Sequence, residues 1–233
     1  MKLDLLQALN AERAARRAAV LVTDVESGAQ RLVKAVDAPK DPLYGVIEKR
    51  LRMGKSGMEE TPQGRLFLTV YVPSPRLVIT GAVHVSQTLA PLGKMLGYDV
   101  IIVDPRTAFA SEERFPDVKL IAEWPDVALP PLNIDRYTAF VALTHDPKID
   151  DPALAHALKR DCFYIGALGS KKTHAKRVQR LKEAGISDGA IARIHAPIGL
   201  PIGSVSPAEI ALAIMAEITQ ALRLKADKEA EAA

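Results

Sequence analysis

The sequence predicts an α/β fold, a doubly wound and mainly parallel sheet preceded by a small N-terminal α+β module. Three observations carry this expectation. Apolar runs such as RLVIT (76–80), DVIIVD (99–104) and TAFVALT (138–144) lack the in–out alternation of a half-exposed strand, so both of their faces are buried. Segments with helical spacing separate these runs, as they must when helices cover both faces of a parallel sheet. Before residue 73 the pattern is different, with alternating strands and a hairpin signal.

In the N-terminal module, Leu3, Leu5, Leu6, Leu9 and Ala14 recur at helical spacing over residues 3–18. AVLVTDV (19–25) and RLVKAV (31–36), separated by Ser27-Gly28, read as a hairpin. Asp41-Pro42 opens a helix through Arg52, with Asp41 as N-cap and Pro42 at the first helical position. GKSGMEETPQG (54–64) reads as loop and RLFLTVYV (65–72) as a strand. Pro73-Ser74-Pro75 then breaks the chain. The expected division is a module over 1–75, a main domain over 76–222 and a flexible, charged tail over 223–233.

The main domain opens with the strand 76–80, a helix over 84–97 ending at Gly97, and the strand 99–104. VKLIAEW (118–124) and TAFVALT supply further strands. A helix over 151–160 follows, with Asp151 as cap and Pro152 in its first turn. CFYIGALGS (162–170) is a strand running into a glycine turn, and 173–185 is a helix stopped by Gly185. The last helix, 206–222, starts at a capping box formed by Ser206 and Glu209.

Composition narrows the function classes. With 48% hydrophobic and 25% charged residues among 233, the chain can bury a sizeable core. A net charge of +3 gives no support for nucleic-acid binding, which shows as a concentrated basic face. The single cysteine, Cys162, excludes an internal disulfide or a Cys-rich metal site within one chain. No signal peptide is expected, since Asp4 and Glu12 interrupt the N-terminus, and no run reaches the ~18 apolar residues of a membrane span. A cytoplasmic protein is the expectation.

Three loops carry candidate chemistry. Gly81-Ala82-Val83-His84-Val85-Ser86 lies where a dinucleotide-binding turn would lie, and Asp104 ends the next strand near the roughly 20-residue distance of a ribose-binding acid. Val83 and Ser86 stand where that fingerprint has glycines. Arg106 is placed to accept a phosphate or to pair with Asp104. In the second loop, Gly166 and Gly169 precede Ser170 and Lys171 at a helix start, where free N–H groups favour an anion; an ordinary glycine turn with a solvated basic helix reads equally well. In the third, His145-Asp146 follows a central strand, positioned for acid–base work, ligand binding or simple turn formation. His195 precedes Pro197-Ile198-Gly199, whose glycine permits close approach to a ligand or to a neighbouring helix.

The order and spacing of Gly81–His84, Val103–Arg106, Leu143–Asp146, Tyr164–Ser170, His195–Leu200 and Ser206–Ile210 resemble the C-terminal Rossmann-type domain of the XdhC/CoxI family over roughly residues 76–220. The resemblance implies a Rossmann-like sheet and an accessory protein of molybdenum hydroxylases such as xanthine dehydrogenase or a CO dehydrogenase-like enzyme. It implies binding of molybdenum cofactor, as molybdopterin or its dinucleotide form, and delivery to the apoenzyme. The site residues it marks are Gly81, His84, Asp104, Arg106, His145, Asp146, Gly166, Gly169, Ser170, Lys171, His195 and Gly199, with no resident metal. Two features depart from the family pattern: Val83 replaces a glycine, and residues 1–72 contain no cysteine. The second departure points to a partner, a Cys-containing relative or a cysteine desulfurase, besides the client enzyme. A homodimer is expected from the frequency of such assemblies. The competing readings are an NAD(P)-dependent oxidoreductase, with Asp104 or Arg106 selecting the nucleotide, and a scaffold subunit that binds only protein.

Overall fold

The computed structural model describes residues 2–62 and 64–231, the side chains of 225–231 excepted. The chain divides into two compact units, Met1–Pro73 and Ser74–Ala233.

The first unit is a four-stranded antiparallel sheet with two helices. Its elements are α1 (Leu3–Ala14), β1 (Ala19–Asp24), β2 (Gln30–Lys34), α2 (Tyr44–Met53), β3 (Gly57–Thr61) and β4 (Gly64–Tyr71), with strand order β2-β1-β4-β3. Val20, Val22, Val33, Ile47, Leu66 and Leu68 form its core. Glu12 on α1 is buried and joins Arg17 at 2.6 Å and Lys34 of β2 at 3.2 Å. Two expectations are corrected. Residues 57–61, read as part of a loop, are a strand: pairing with β4 along its length outweighs their polar composition. The second helix begins at Tyr44, because Asp41 is drawn into a bidentate pair with Arg31 while its carboxylate accepts the Leu43 N–H.

The second unit is a six-stranded, all-parallel sheet covered on both faces. It comprises β5 (Arg76–Thr80), α3 (His84–Met95), β6 (Asp99–Val103), β7 (Lys119–Ile121), α4 (Pro125–Ala128), β8 (Thr138–Ala142), α5 (Pro147–Leu158), β9 (Tyr164–Ala167), α6 (Lys171–Glu183), α7 (Asp188–Ile191), β10 (Ile194–His195) and α8 (Pro207–Glu231). The strand order is β10-β9-β8-β5-β6-β7 and every pairing is parallel, as in the doubly wound dinucleotide-binding arrangement. Side chains alternate along each strand between two cores. Leu77, Ile79, Val141 and Tyr164 pack under α3 and α8, whereas Val78, Ile101, Phe140 and Ile165 pack under α4 to α7.

The helix expected from Asp151 starts earlier, at Pro147. Asp146 is its N-cap and accepts the Lys148 N–H, and Pro152 sits inside the helix. The capping box of α8 forms as expected, with the Ser206 N–H donating to Glu209 at 2.8 Å and the Glu209 N–H donating back to Ser206 Oγ at 3.3 Å. The α8 backbone continues past Leu222 to Glu231. The tail expected over 223–233 therefore begins within this helix, and residues 232 and 233 lie outside the described residues.

Candidate functional site

The strand order reverses at β5, which pairs with β6 on one side and β8 on the other. Doubly wound sheets hold ligands at the carboxyl ends of the strands beside such a switch point. The turn after β5 and the turn after β8 meet there. Gly81 has φ +117°, and a Cβ on it would lie 2.9 Å from Thr144 Cγ2, so a side chain is excluded by both conformation and neighbour. Val83, at the N-cap of α3, is extended and packs against the core under α3 and α8. Ser86 replaces the fingerprint's last glycine and donates its hydroxyl to the Gly81 carbonyl at 2.6 Å. His84 is exposed at the first position of α3.

Asp104 is fully buried and holds this turn in place. Its Oδ2 accepts the Ala82 N–H at 2.7 Å and Arg106 Nη2 at 2.7 Å; its Oδ1 accepts the Arg106 N–H and Nε–H at 3.0 and 2.9 Å. Burial opposes ionisation, but Arg106 and the two backbone N–H groups outweigh it and hold the carboxyl below the usual range. The pairing alternative for Arg106 is the one observed, and its guanidinium also lies 4.4 Å from the Phe109 ring centroid. Arg114 donates to the Ala82 carbonyl at 2.9 Å and to the Phe109 carbonyl at 2.7 Å.

After β8 the chain turns sharply. His145 adopts φ +64°, unusual for a residue with a Cβ, and is exposed. The turn is pinned by Asp150, which is 1% exposed. Asp150 Oδ1 accepts the Thr144 hydroxyl at 2.7 Å and its N–H at 3.3 Å; Oδ2 accepts the His145 N–H at 3.1 Å. Arg177 of α6 lies 3.8 Å from the same carboxylate. Burial still pushes Asp150 above the usual carboxylate range, because these bonds compensate only in part. Between α5 and α6 lies a cavity of about 280 Å³ lined by His145, Asp150, Lys172, Lys176, Arg177 and Arg180.

The remaining candidate glycines meet protein. A Cβ on Gly166 would lie 2.5 Å from Ile198, one on Gly199 3.1 Å from Ala213 of α8, and one on Gly169 3.1 Å from Thr173. Ser170 caps α6 by accepting the Thr173 N–H, and Lys171 is exposed at the helix start. His195 belongs to a separate network on the α8 side. Its Nδ1 lies 2.8 Å from Glu217 Oε1, while Glu217 Oε2 accepts the Tyr164 hydroxyl at 2.5 Å and the Gly199 N–H at 2.7 Å. Burial opposes the Glu217 charge, yet the bonds from His195, Tyr164 and Gly199 hold its carboxyl below the usual range.

The structure therefore brings Gly81, Asp104, Arg106, His145 and Asp146 to one edge, with α6 beside them, and gathers His195 and Gly199 elsewhere. It adds Asp150 and Arg180, and it places Lys172, Lys176 and Arg177, which the sequence marks as basic residues after the glycine loop, along one cavity. One signal pointed to part of α6: Thr173, Lys176, Arg177 and Arg180 recur at i, i+3, i+4 and i+7, which is one helix face. Cys162 is buried in the core and burial pushes its thiol up to about 12, so it is not a ready thiolate. Among the described residues no group of three or more His, Cys, Asp or Glu side chains is arranged to hold a metal ion, and none of the described helices is long and apolar enough to cross a membrane.

Comparison with known proteins places this arrangement in a family. Residues 77–218 match the model of the XdhC Rossmann domain. A probable xanthine dehydrogenase subunit of Bacillus subtilis is 32% identical over 156 residues, which is 66% of this chain and 45% of that protein. The molybdenum cofactor insertion chaperone PaoD of Escherichia coli is 32% identical over 193 residues, 76% of this chain and 54% of its own length. An uncharacterized E. coli protein, YqeB, is 34% identical over 157 residues, 66% of this chain and 29% of that protein. The chain thus spans about half or less of the curated relatives it matches. A crystal structure of a xanthine dehydrogenase from Bacillus halodurans shares the fold, with a TM-score of 0.72 at 24% identity, covering 98% of this chain and 70% of the other. Since the family model covers more than half of the sequence, this chain belongs to the XdhC Rossmann-domain family.

Proposed function

We propose that this protein is an accessory factor that binds molybdenum cofactor and assists its maturation or insertion into a molybdenum hydroxylase, such as a xanthine dehydrogenase. The observation that carries the reading is the similarity to PaoD, a molybdenum cofactor insertion chaperone, over 76% of the chain. The switch-point edge is the part of the fold suited to the task. His84, Arg106, His145 and Asp146 rim it, and the cationic face of α6 stands beside it. When bound, the cofactor supplies the redox and sulfur chemistry of the client enzyme. This chain's residues suit its anionic end: the donors are guanidinium, ammonium and imidazole groups, and buried Arg177 has nitrogens left over. They do not form a thiolate site for the metal, so a Cys-containing relative or a cysteine desulfurase is the partner proposed for sulfur handling. In this reading the protein acts in the cytoplasm, as a homodimer.

A second reading, an NAD(P)-dependent oxidoreductase, is favoured by the strand order. Against it stand Val83 and Ser86 in place of two fingerprint glycines and the engagement of both Asp104 oxygens by Ala82 and Arg106. Protein purified from a molybdenum-sufficient host should release a fluorescent oxidised pterin at close to one per chain. Release of nicotinamide nucleotide without pterin would transfer the argument to the second reading.

A further inference from the structure

Arg177 is 2% exposed, the largest of the fully buried side chains among the described residues. Taking a guanidinium out of water costs several kcal/mol unless its donors are satisfied, and buried polar groups normally are. This one is satisfied only in part. Its Nη2 donates to the Leu168 carbonyl at 2.9 Å and lies 3.8 Å from Asp150. Its Nε and Nη1 have no hydrogen-bond partner among the described residues. Asp150 does not make up the deficit: at 3.8 Å its carboxylate is beyond hydrogen-bond distance of Arg177, and it is held there by the Thr144 hydroxyl and the Thr144 and His145 N–H groups.

Arg177 is one of the residues that line the cavity between α5 and α6, and most of the other charged side chains in its walls are cationic. Lys172, Lys176 and Arg180 face it from α6, and His145 faces it from the strained turn after β8. Asp151 neutralises Arg180, and Asp150 opposes Arg177. Lys172 and Lys176 are ion-paired with no carboxylate among the described residues. At about 280 Å³ the space lies below the roughly 300–1,000 Å³ of sites for whole drug-sized molecules. It suits an anionic head group. A phosphate offers more oxygens and more charge than a carboxylate, closer to the number of donors left over here.

We infer that the cavity between α5 and α6 is a phosphate or pyrophosphate site, in which Arg177, Lys172 and Lys176 hold the anion. The assignment deepens the proposed function and rests on it only for the anion's source, since molybdopterin and its dinucleotide form both carry this group. It moves the anion away from the backbone of the Gly169–Lys171 loop and onto the face of α6.

The test is calorimetric titration of the full chain with inorganic pyrophosphate and with inorganic phosphate. Wild type should bind one pyrophosphate saturably. Lys172→Ala/Lys176→Ala should bind on the order of tenfold more weakly, as expected for loss of charge-assisted hydrogen bonds. Lys159→Ala/Arg160→Ala, which removes the same charge from the exposed end of α5, should bind as wild type does. Arg177→Gln should abolish binding if circular dichroism shows it folded; should it not fold, the exposed lysine pair decides. Absence of saturable binding to folded wild type, or equal weakening in both charge pairs, overturns the site. Pterin carried per chain then separates the sources. Parallel loss of pterin in the Lys172/Lys176 variant assigns the anion to the cofactor. Pterin kept while pyrophosphate binding falls assigns the site to a free phosphate compound. A wild type that binds pyrophosphate but carries no pterin keeps the site and sinks the proposed function.

Discussion

Two carboxylates, half-buried Glu217 and buried Asp150, sit on opposite faces of the parallel sheet and serve their surroundings in different ways. Glu217, on the α8 face, receives Tyr164, His195 and the Gly199 N–H, and each of these groups is satisfied by it. Asp150, on the other face, is satisfied itself but leaves its neighbour Arg177 with two open nitrogens. The first network ties a loop and two strands to a helix and asks for nothing further. The second is a preformed deficit beside a cavity. A polar network that closes on itself acts as a brace, whereas one that stays open leaves a buried charge still to be compensated.

The largest expected effect comes from breaking the brace. Glu217→Ala strands the Tyr164 hydroxyl and the Gly199 N–H, and should destabilise the protein by about 3 kcal/mol in urea unfolding. Pyrophosphate affinity should stay within about twofold of wild type, because the network lies across the sheet from Arg177. A loss below about 1 kcal/mol would contradict the brace.

Next come two glycines, one in each region. Gly199→Ala pushes a methyl group against α8 and Gly81→Ala pushes one against Thr144, both from positive φ. Each should cost about 2 kcal/mol. Only Gly81→Ala should also weaken anion binding, since Thr144 positions Asp150 and with it Arg177. Equal effects of the two on binding would erase the distinction between the regions.

The smallest effect is a difference in sign with pH. The Glu217 carboxyl is held below its ordinary value, so its contribution is present at neutral pH and is lost as pH falls through that lowered value. The Asp150 carboxyl is raised by burial, so its ionised form costs stability at neutral pH and protonation relieves that cost. As pH falls from about 7 to about 3, the stability of wild type relative to Glu217→Gln should shrink, while its stability relative to Asp150→Asn should grow. Parallel profiles for the two variants would contradict the assignment.

Much of the second unit was legible in the sequence because its strands are buried on both faces. RLVIT coincides with β5, and the runs at 99–104 and 138–144 contain β6 and β8. The errors have specific causes. Asp146-Pro147 and Asp151-Pro152 carry the same helix-start signal, and only the Asp146 bond to the Lys148 N–H shows which one opens α5. The strand at 57–61 has little apolar character of its own and exists through its ladder to β4. Among the candidate site residues, those in turns were easy to single out, but what their glycines approach is set by neighbours far along the chain, such as Ala213 for Gly199. Asp150 and Arg177 are 27 positions apart, and nothing local marks either as buried. The resemblance located the edge of the sheet; the distribution of open and closed hydrogen bonds along it needed the fold.

Pterin carried per chain, measured on full-length wild type, Glu217→Gln and Lys172→Ala/Lys176→Ala purified from the same molybdenum-sufficient host, tests the central claim most directly. Wild type and folded Glu217→Gln should carry pterin equally, and the lysine pair should carry on the order of a tenth as much. Wild type without pterin, or pterin lost with Glu217→Gln and kept by the lysine pair, would contradict the account.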